Sequence, residues 1–514
     1  MGEISNKLAN HLCDHLMQED IGSLTNKDAI DVTVELTRLA IELKRKDALF
    51  RALTWHESLE QRLVYGEEAI LLDLSHANAI AGERYGTPWS WEQSTLAREI
   101  FYLRRAISNE AFDQAPVVIK CKLLNNVGNR LIVTGRIIEA IDFWRRTLDV
   151  RPNFGMALCN RARAFAEYAN GLEDEDDKIL LLWMAHKEAT AAHEPAAIYT
   201  DVSDVRTLNA VKQLTAHIES ILDVKQLNES PPRMTADRSR SDEDRAYSEW
   251  CLSHRLYVNP LNDLGAYPIG AADSIGLPTH IVPVDAPHRF SSFFDQMKQE
   301  YVSARWCLYE GLTTKKAHFS DSNVLLAATE PLPSLSLAVE QLKTAYRVAY
   351  SLFDKLGFFL NAYMNLGIPE KRVSFRTLWT AGEDKAIRPQ FDLHDNWGFC
   401  ALYWLAKDFS EKANDEVSEP QARNLSEIRN SIEHKYLRVV ANEVTTAPVD
   451  DLALMVSRKR FEAKTLHLLK LARAALIYLA IGVRFEELRR QPKFRDVSLE
   501  DIPATDRLSD AQKL

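Results

Sequence analysis

Cysteine is sparse and scattered in this sequence: Cys13, Cys121, Cys159, Cys251, Cys307 and Cys400 include no CxxC pair. That spacing gives neither a thiolate zinc knuckle nor a disulfide framework, and free thiols in a reducing compartment are the expectation. The chain also lacks a Walker loop, a GxGxxG after a strand, a GxSxG and an HExxH. Nucleotide-dependent, α/β-hydrolase and zincin chemistry therefore have no residues to work with, and no cofactor or metal is expected. No apolar run approaches the roughly 18 residues of a membrane span. The first residues, Met1 to Lys7, carry no apolar secretory core, so a cytoplasmic protein without a membrane partner is expected. An excess of positive charge is missing too: 63 Lys and Arg stand against 73 Asp and Glu, for a net charge of −10. Residues 291–490 hold 27 against 25, so the acidity lies in the rest of the chain. Bulk charge cannot hold a polyanion here, and any nucleic-acid contact must be local. Arg458, Lys459 and Arg460 form one basic cluster, and Arg484, Arg489 and Arg490 another. The plainer explanation of each is a solvated helix end.

Proline and glycine are few over residues 1–224, and the segment predicts helix from end to end. Its clearest unit runs from Cys121 to Phe154. In a 34-residue tetratricopeptide frame opening at Cys121, Gly128, Ala140 and Pro152 fall at the small, small and proline positions, although Thr147 replaces a usual alanine. Small residues let the two helices of a hairpin approach, and Pro152 ends the second. The next unit starts at Gly155 and puts Ala162 where Gly128 stood. Earlier helices at 27–48 and 52–74 fit without a clear frame. One hairpin cannot bury its apolar side alone, so several are expected to stack into a solenoid. Asn125, Asn129 and Arg161 are candidate groove residues for a peptide or protein partner. The alternative is that these side chains cap or bridge neighbouring repeats. Glu173 to Asp177 reads as a solvated acidic loop.

Residues 225–247 are polar, with Pro231-Pro232 and almost no apolar side chains, and predict a linker. Residues 248–290 begin as a short helix, turn at Asn259-Pro260 and then lose periodicity. An irregular stretch of that length often packs over a functional surface, and packing on the C-terminal domain is expected. Residues 291–490 predict five main helices, at 291–311, 334–364, 393–411, 420–441 and 459–488, and hence a helical bundle. The last is apolar nearly all round and should be its buried centre. Residues 491–514 predict a polar tail. The fold class is all-α.

The stretch Leu425–Leu437 is where chemistry concentrates. Leu425, Ile428, Ile432, Tyr436 and Val439 make one helical stripe facing a core. At the helical pitch, Asn430 and His434 lie about 160° from its centre and point away. Arg429 sits beside the stripe, one turn from Glu433. Arg429-Asn430, three residues and then His434 resemble the Arg–polar–x–x–x–His signature of the HEPN superfamily of small all-α domains, many of them RNases. The surrounding Ile428–Leu437 wording, with Lys343–Lys355 and Ala401–Asp408, is similar to a bacterial branch that joins helical repeats to a C-terminal HEPN domain.

The resemblance implies a metal-independent endoribonuclease controlled by a tetratricopeptide-like sensor in a toxin or phage-defence setting. It also implies a homodimer through the HEPN domain, with two motifs facing across a cleft. In such a site His434 suits proton transfer to and from the reacting hydroxyls. Arg429 suits the scissile phosphate. Asn430 orients the imidazole or the phosphate, and Glu433 pairs with Arg429. A plain helix-face ion pair is the competing explanation of that last contact. His394 is expected to sit in a helix cap and His467 in a core or interface. The second functional reading is a non-enzymatic adaptor, whose repeats bind a partner protein and whose HEPN bundle dimerises.

Overall fold

The computed structural model describes residues 2–62, 66–84, 90–199, 205–230, 241–278, 281–283, 289–322, 324–325, 334–382, 386–391, 396–409, 419–420, 422–441, 452–490 and 499–501. The fold is all-α. The chain clusters into two compact units: Met1–Ala162, Glu188–Gln213 and Ser410–Ala422 form one, and Arg163–Lys187, Leu214–Phe409 and Arg423–Leu514 form the other.

The first unit is built from helical hairpins. After α1 (Gly2–Leu16), α2 (Asn26–Glu42) pairs with α3 (Lys46–Glu60), α4 (Glu67–Arg84) with α5 (Ser94–Ile107), and α6 (Val117–Val133) with α7 (Ile137–Val150). Successive hairpins pack on each other, α4 on α2 and α3, and α6 on α5. The small-residue logic explains α6 and α7. A Cβ on Gly128 would lie 2.5 Å from the indole Nε1 of Trp144, so only glycine lets that buried ring sit across α6. Gly135, at φ +77°, makes the left-handed turn between the two helices. The expected helix 27–48 instead stops at Glu42 and restarts at Lys46. Lys44 takes φ +56° at the break, a turn hidden among strong helix formers.

α8 (Gly155–Asn170), α9 (Glu175–His193) and α10 (Val205–Ile221) follow. The acidic run expected in a loop opens α9, where Glu175, Asp176 and Asp177 occupy the first turn. Asp174 Oδ1 accepts from the Asp177 amide at 3.0 Å, and the helix dipole favours those charges. The expected linker carries α11 (Val224–Glu229) and the start of α12 (Asp242–His254), which Ser241 caps. Residues 231–240 lie outside those described.

In the second unit the irregular stretch after α12 is tightly held. It includes α13 (Leu261–Leu264), and Asn259, Asn262 and Asp263 are buried. Its anchor is Arg473, fully enclosed in the long last helix. The guanidinium donates to the carbonyls of Tyr257 and Asn259 at 2.5 and 2.8 Å, and to both Asp263 carboxylate oxygens at 2.8 and 3.0 Å. Arg305 does the same work nearby, bonding Asp273 at 2.8 Å twice and the Leu256 carbonyl at 2.9 Å. Bidentate pairing satisfies the buried charges on each side.

The bundle comprises α14 (Arg289–Thr313), α15 (Leu337–Tyr363), α16 (Trp397–Lys407), α17 (Ala422–His434) and α18 (Arg458–Arg490). α14, α15 and α16 all pack on α18. Two glycines set a close crossing of α16 on α18: a Cβ on Gly398 would meet the Gly482 amide nitrogen at 2.5 Å. α18 is, against expectation, long and apolar enough to cross a membrane by length and composition. Yet 83% of its most apolar window is buried inside the unit, as in a core helix.

Short strands complete the unit. β1 (Ile281–Pro283) pairs antiparallel with β6 (Leu499–Asp501), which lies in the expected tail, and β2 (Thr380–Ala381) with β3 (Ala386–Ile387). β4 (Tyr436–Val440) pairs parallel with β5 (Ala453–Ser457). β4 corrects the expected helix 420–441, because α17 ends at His434. Leu437 and Val439 are buried while Tyr436 is exposed. This period-two burial, closed by a β-branched pair, also satisfies the spacing of a helical stripe.

Candidate functional site

α17 is positioned from below by two tyrosines of α15. The Tyr346 hydroxyl donates to the Leu425 carbonyl at 2.8 Å, and the Tyr350 hydroxyl lies 3.2 Å from Ser426 Oγ. Leu425, Ile428 and Ser431 are buried, and Ile432 half-buried. The face carrying the motif is thereby turned outward. Arg429 is half-buried, with its guanidinium 5.7 Å from the centroid of the Tyr350 ring. Its Nη1 donates to Asn430 Oδ1 at 3.1 Å. Asn430 thus orients the guanidinium rather than the imidazole. His434 and Glu433 are exposed at the end of the helix. Neither side chain forms a hydrogen bond or ion pair with a described residue, so Glu433 does not pair with Arg429. The arrangement offers a fixed cation and, one turn on, an unengaged imidazole at the surface.

The other sequence candidates divide. Arg458 is engaged, pairing with Glu462 at 2.7 Å and donating to the Gly311 carbonyl at 2.9 Å, whereas Lys459 and Arg460 are exposed. Arg489 and Arg490 both pair with Glu486. His467, expected in a core or interface, is solvent-exposed on α18. His394 lies outside the described residues.

In the first unit Asn125 and Arg161 are buried. Asn160 Nδ2 donates to Asn129 Oδ1 at 2.8 Å and to Asn125 Oδ1 at 3.3 Å, and Trp144 Nε1 donates to Asn129 Oδ1 at 3.2 Å. Arg161 pairs with Glu188 at 2.8 Å. Burial lifts the Glu188 carboxyl to about 7 against the pull of Arg161. These contacts join α6 and α7 to α8, and α8 to α9, the arrangement that the bridging alternative describes.

Tyr346, Tyr350 and Asp354 lie within the Lys343–Lys355 stretch that carries the resemblance, on one row at four-residue spacing, and the sequence assigns them no role at the site. Burial raises the Tyr350 phenol above its ordinary value. Packing around the Asp354 carboxyl raises it as well, and Arg429 and then Arg376 pull it back down. Nothing in the sequence signals Arg376, which reaches this place from a turn far from the motif.

Residues 281–486, roughly two fifths of the chain, match the family model described as LA2681-like HEPN. No curated protein and no solved structure matches the chain. The match takes in α14 to α17, α18 as far as Glu486, and the whole Arg429–His434 motif. The chain is a HEPN-domain protein, and residues 281–486 are its LA2681-like HEPN domain.

Proposed function

We propose that this protein is a metal-independent endoribonuclease, its HEPN domain cleaving RNA by attack of a 2′-hydroxyl on the adjacent phosphorus. The observation that carries the reading is His434, solvent-open and unengaged, one turn beyond a guanidinium seated on Tyr350. An imidazole titrates near neutrality and serves as base or acid. In the reaction a base takes the 2′-proton and the 2′-oxygen bonds to phosphorus. Arg429 neutralises the phosphorane, and an acid protonates the departing 5′-oxygen. The products are a 2′,3′-cyclic phosphate and a 5′-hydroxyl. A single copy brings one motif histidine, so two copies pair and each contributes a proton carrier. The helical-repeat half acts as the sensor of a toxin or defence system in the cytoplasm.

The test incubates total RNA and tRNA with wild type, His434→Ala and Arg429→Ala in excess EDTA. Wild type is expected to cleave, and each variant to lose about 10²–10⁴-fold of the rate while keeping its thermal transition. Full activity in both variants would sink the assignment. Absence of any cleavage, together with saturable binding of a partner protein, would favour the adaptor reading.

A further inference from the structure

Ion pairs from three helices of the first unit converge on α5. Arg105 pairs with Asp73 of α4 at 2.6 Å and with Glu60 of α3. Glu99 pairs with Arg84 of α4 at 3.2 Å and with Arg130 of α6. Asp73 and Glu99 are buried. Stranding an enclosed charge is costly, so α5 moves with these neighbours rather than past them. The same helix holds one more carboxylate. Arg104 Nη1 lies 3.3 Å from Glu419 Oε2, and the two side chains are only 9% and 12% exposed. Glu419 belongs to residues 410–422, which join the first unit although they stand between α16 and α17 in sequence. Three residues after Glu419 the motif helix begins, and the chain enters the second unit after Ala422. Three residues reach about 10 Å at full extension, and Pro420 stiffens that short tether.

We propose that the Arg104–Glu419 pair is the regulatory link between the helical repeats and the Arg429–His434 motif. α5 gathers any change in how the hairpins stack and passes it through Glu419 to the first turn of α17. A gripped Glu419 goes with the formed motif, in which Arg429 is seated on Tyr350. A released Glu419 lets α17 loosen, and the guanidinium and the imidazole lose their common footing. This rests on the reading of Arg429 and His434 as the cleaving pair, and adds how that pair is switched. The trigger then acts on the stack of α2 to α7 and needs no contact with the motif.

The experiment follows hydrogen–deuterium exchange of the full-length protein, with cleavage of total RNA measured beside it. Glu419→Gln keeps the shape of the side chain and removes its charge. Amides of α17 are expected to exchange about fivefold faster or more, the lower end of usual coupling between sites, and RNA cleavage to slow by a similar factor. Amides of α14 should not change. Glu60→Gln weakens a half-buried tie of Arg105, far from α17 in the chain, and spares folding should Glu419→Gln fail to fold. It too should quicken α17, which a merely local fastening at Glu419 would not allow. The double variant should be no worse than Glu419→Gln alone, because both act through one link. Unchanged α17 exchange in Glu419→Gln or in Glu60→Gln, with wild type still cleaving RNA, overturns the link alone. Quickened α17 exchange where wild type cleaves no RNA keeps the link and overturns the nuclease reading.

Discussion

At the scale of single residues, Tyr350 decides how well the motif is formed. Its ring seats Arg429 and its hydroxyl meets Ser426. Tyr350→Phe keeps the ring and loses only the hydrogen bond, so it should cost about 1 kcal/mol of stability and leave the kcat of RNA cleavage within a few-fold. Tyr350→Ala removes the seat and should lower kcat by about tenfold or more, since a misplaced catalytic group costs far more than its contact energy. Equal loss in both variants would show the hydroxyl, not the ring, to be the positioning element. The motif itself was legible from the sequence because its residue types and spacing are local. Asn430 was legible only in part. Whether an amide serves the guanidinium or the imidazole depends on rotamers, and these are set by Tyr350, 80 positions away in the chain.

At the scale of elements, the five bundle helices were readable from apolar periodicity and the breakers between them. The exception is instructive. Residues 435–440 satisfy a helical stripe and a strand alternation at once, and the choice between them falls to a partner. β5 supplies a parallel ladder for β4 from Tyr436 to Val440, and no local signal announces a pairing across that distance. The crossing of α16 on α18 was equally silent, because Gly398 and Gly482 look like ordinary helix interruptions until the backbones touch. Gly482→Ala drives a methyl into the Phe399 ring. It should destabilise the HEPN unit by about 1–3 kcal/mol, the usual range for overpacking. Urea titration by circular dichroism checks this, and an unchanged midpoint would mean that α16 shifts freely. In the first unit Gly128, Ala140 and Pro152 were legible for the same local reason as the motif.

At the scale of the whole molecule, buried groups of the first unit pull its stability in opposite directions in acid. His56 and His76 stack with centroids 4.8 Å apart, and Tyr102 covers His76 at 3.9 Å. Burial holds His56 at about 3. Burial, then His56 and the cations Arg98 and Arg105, hold His76 at about 2. A free histidine titrates near 6.5, so below that pH the unfolded chain binds protons the folded one refuses. Each ring therefore removes stability as pH falls from about 6.5 towards its folded value, at up to about 1.4 kcal/mol per pH unit. Glu188 works the other way, gaining stability as pH falls through about 7, so the net slope of wild type is a balance. The histidine share is isolated by difference. His76→Phe, which keeps a ring in the stack, should gain on wild type steadily from pH 6.5 to 4 in urea titrations followed by circular dichroism. A pH-independent gap would show that the rings are protonated in the folded state.

The guanidinium of Arg473 has a further consequence. Loops usually fray first, and a stretch such as 256–264, with scarcely a turn of helix in it, would be expected to come away long before the helices do. Here four bonds from the middle of α18 rivet its carbonyls and its one enclosed carboxylate in place. The loop cannot lift without stranding a charge in oil, and the central helix cannot shed it and stay dry. On heating, the least regular segment of the domain and the most regular one should let go in the same event.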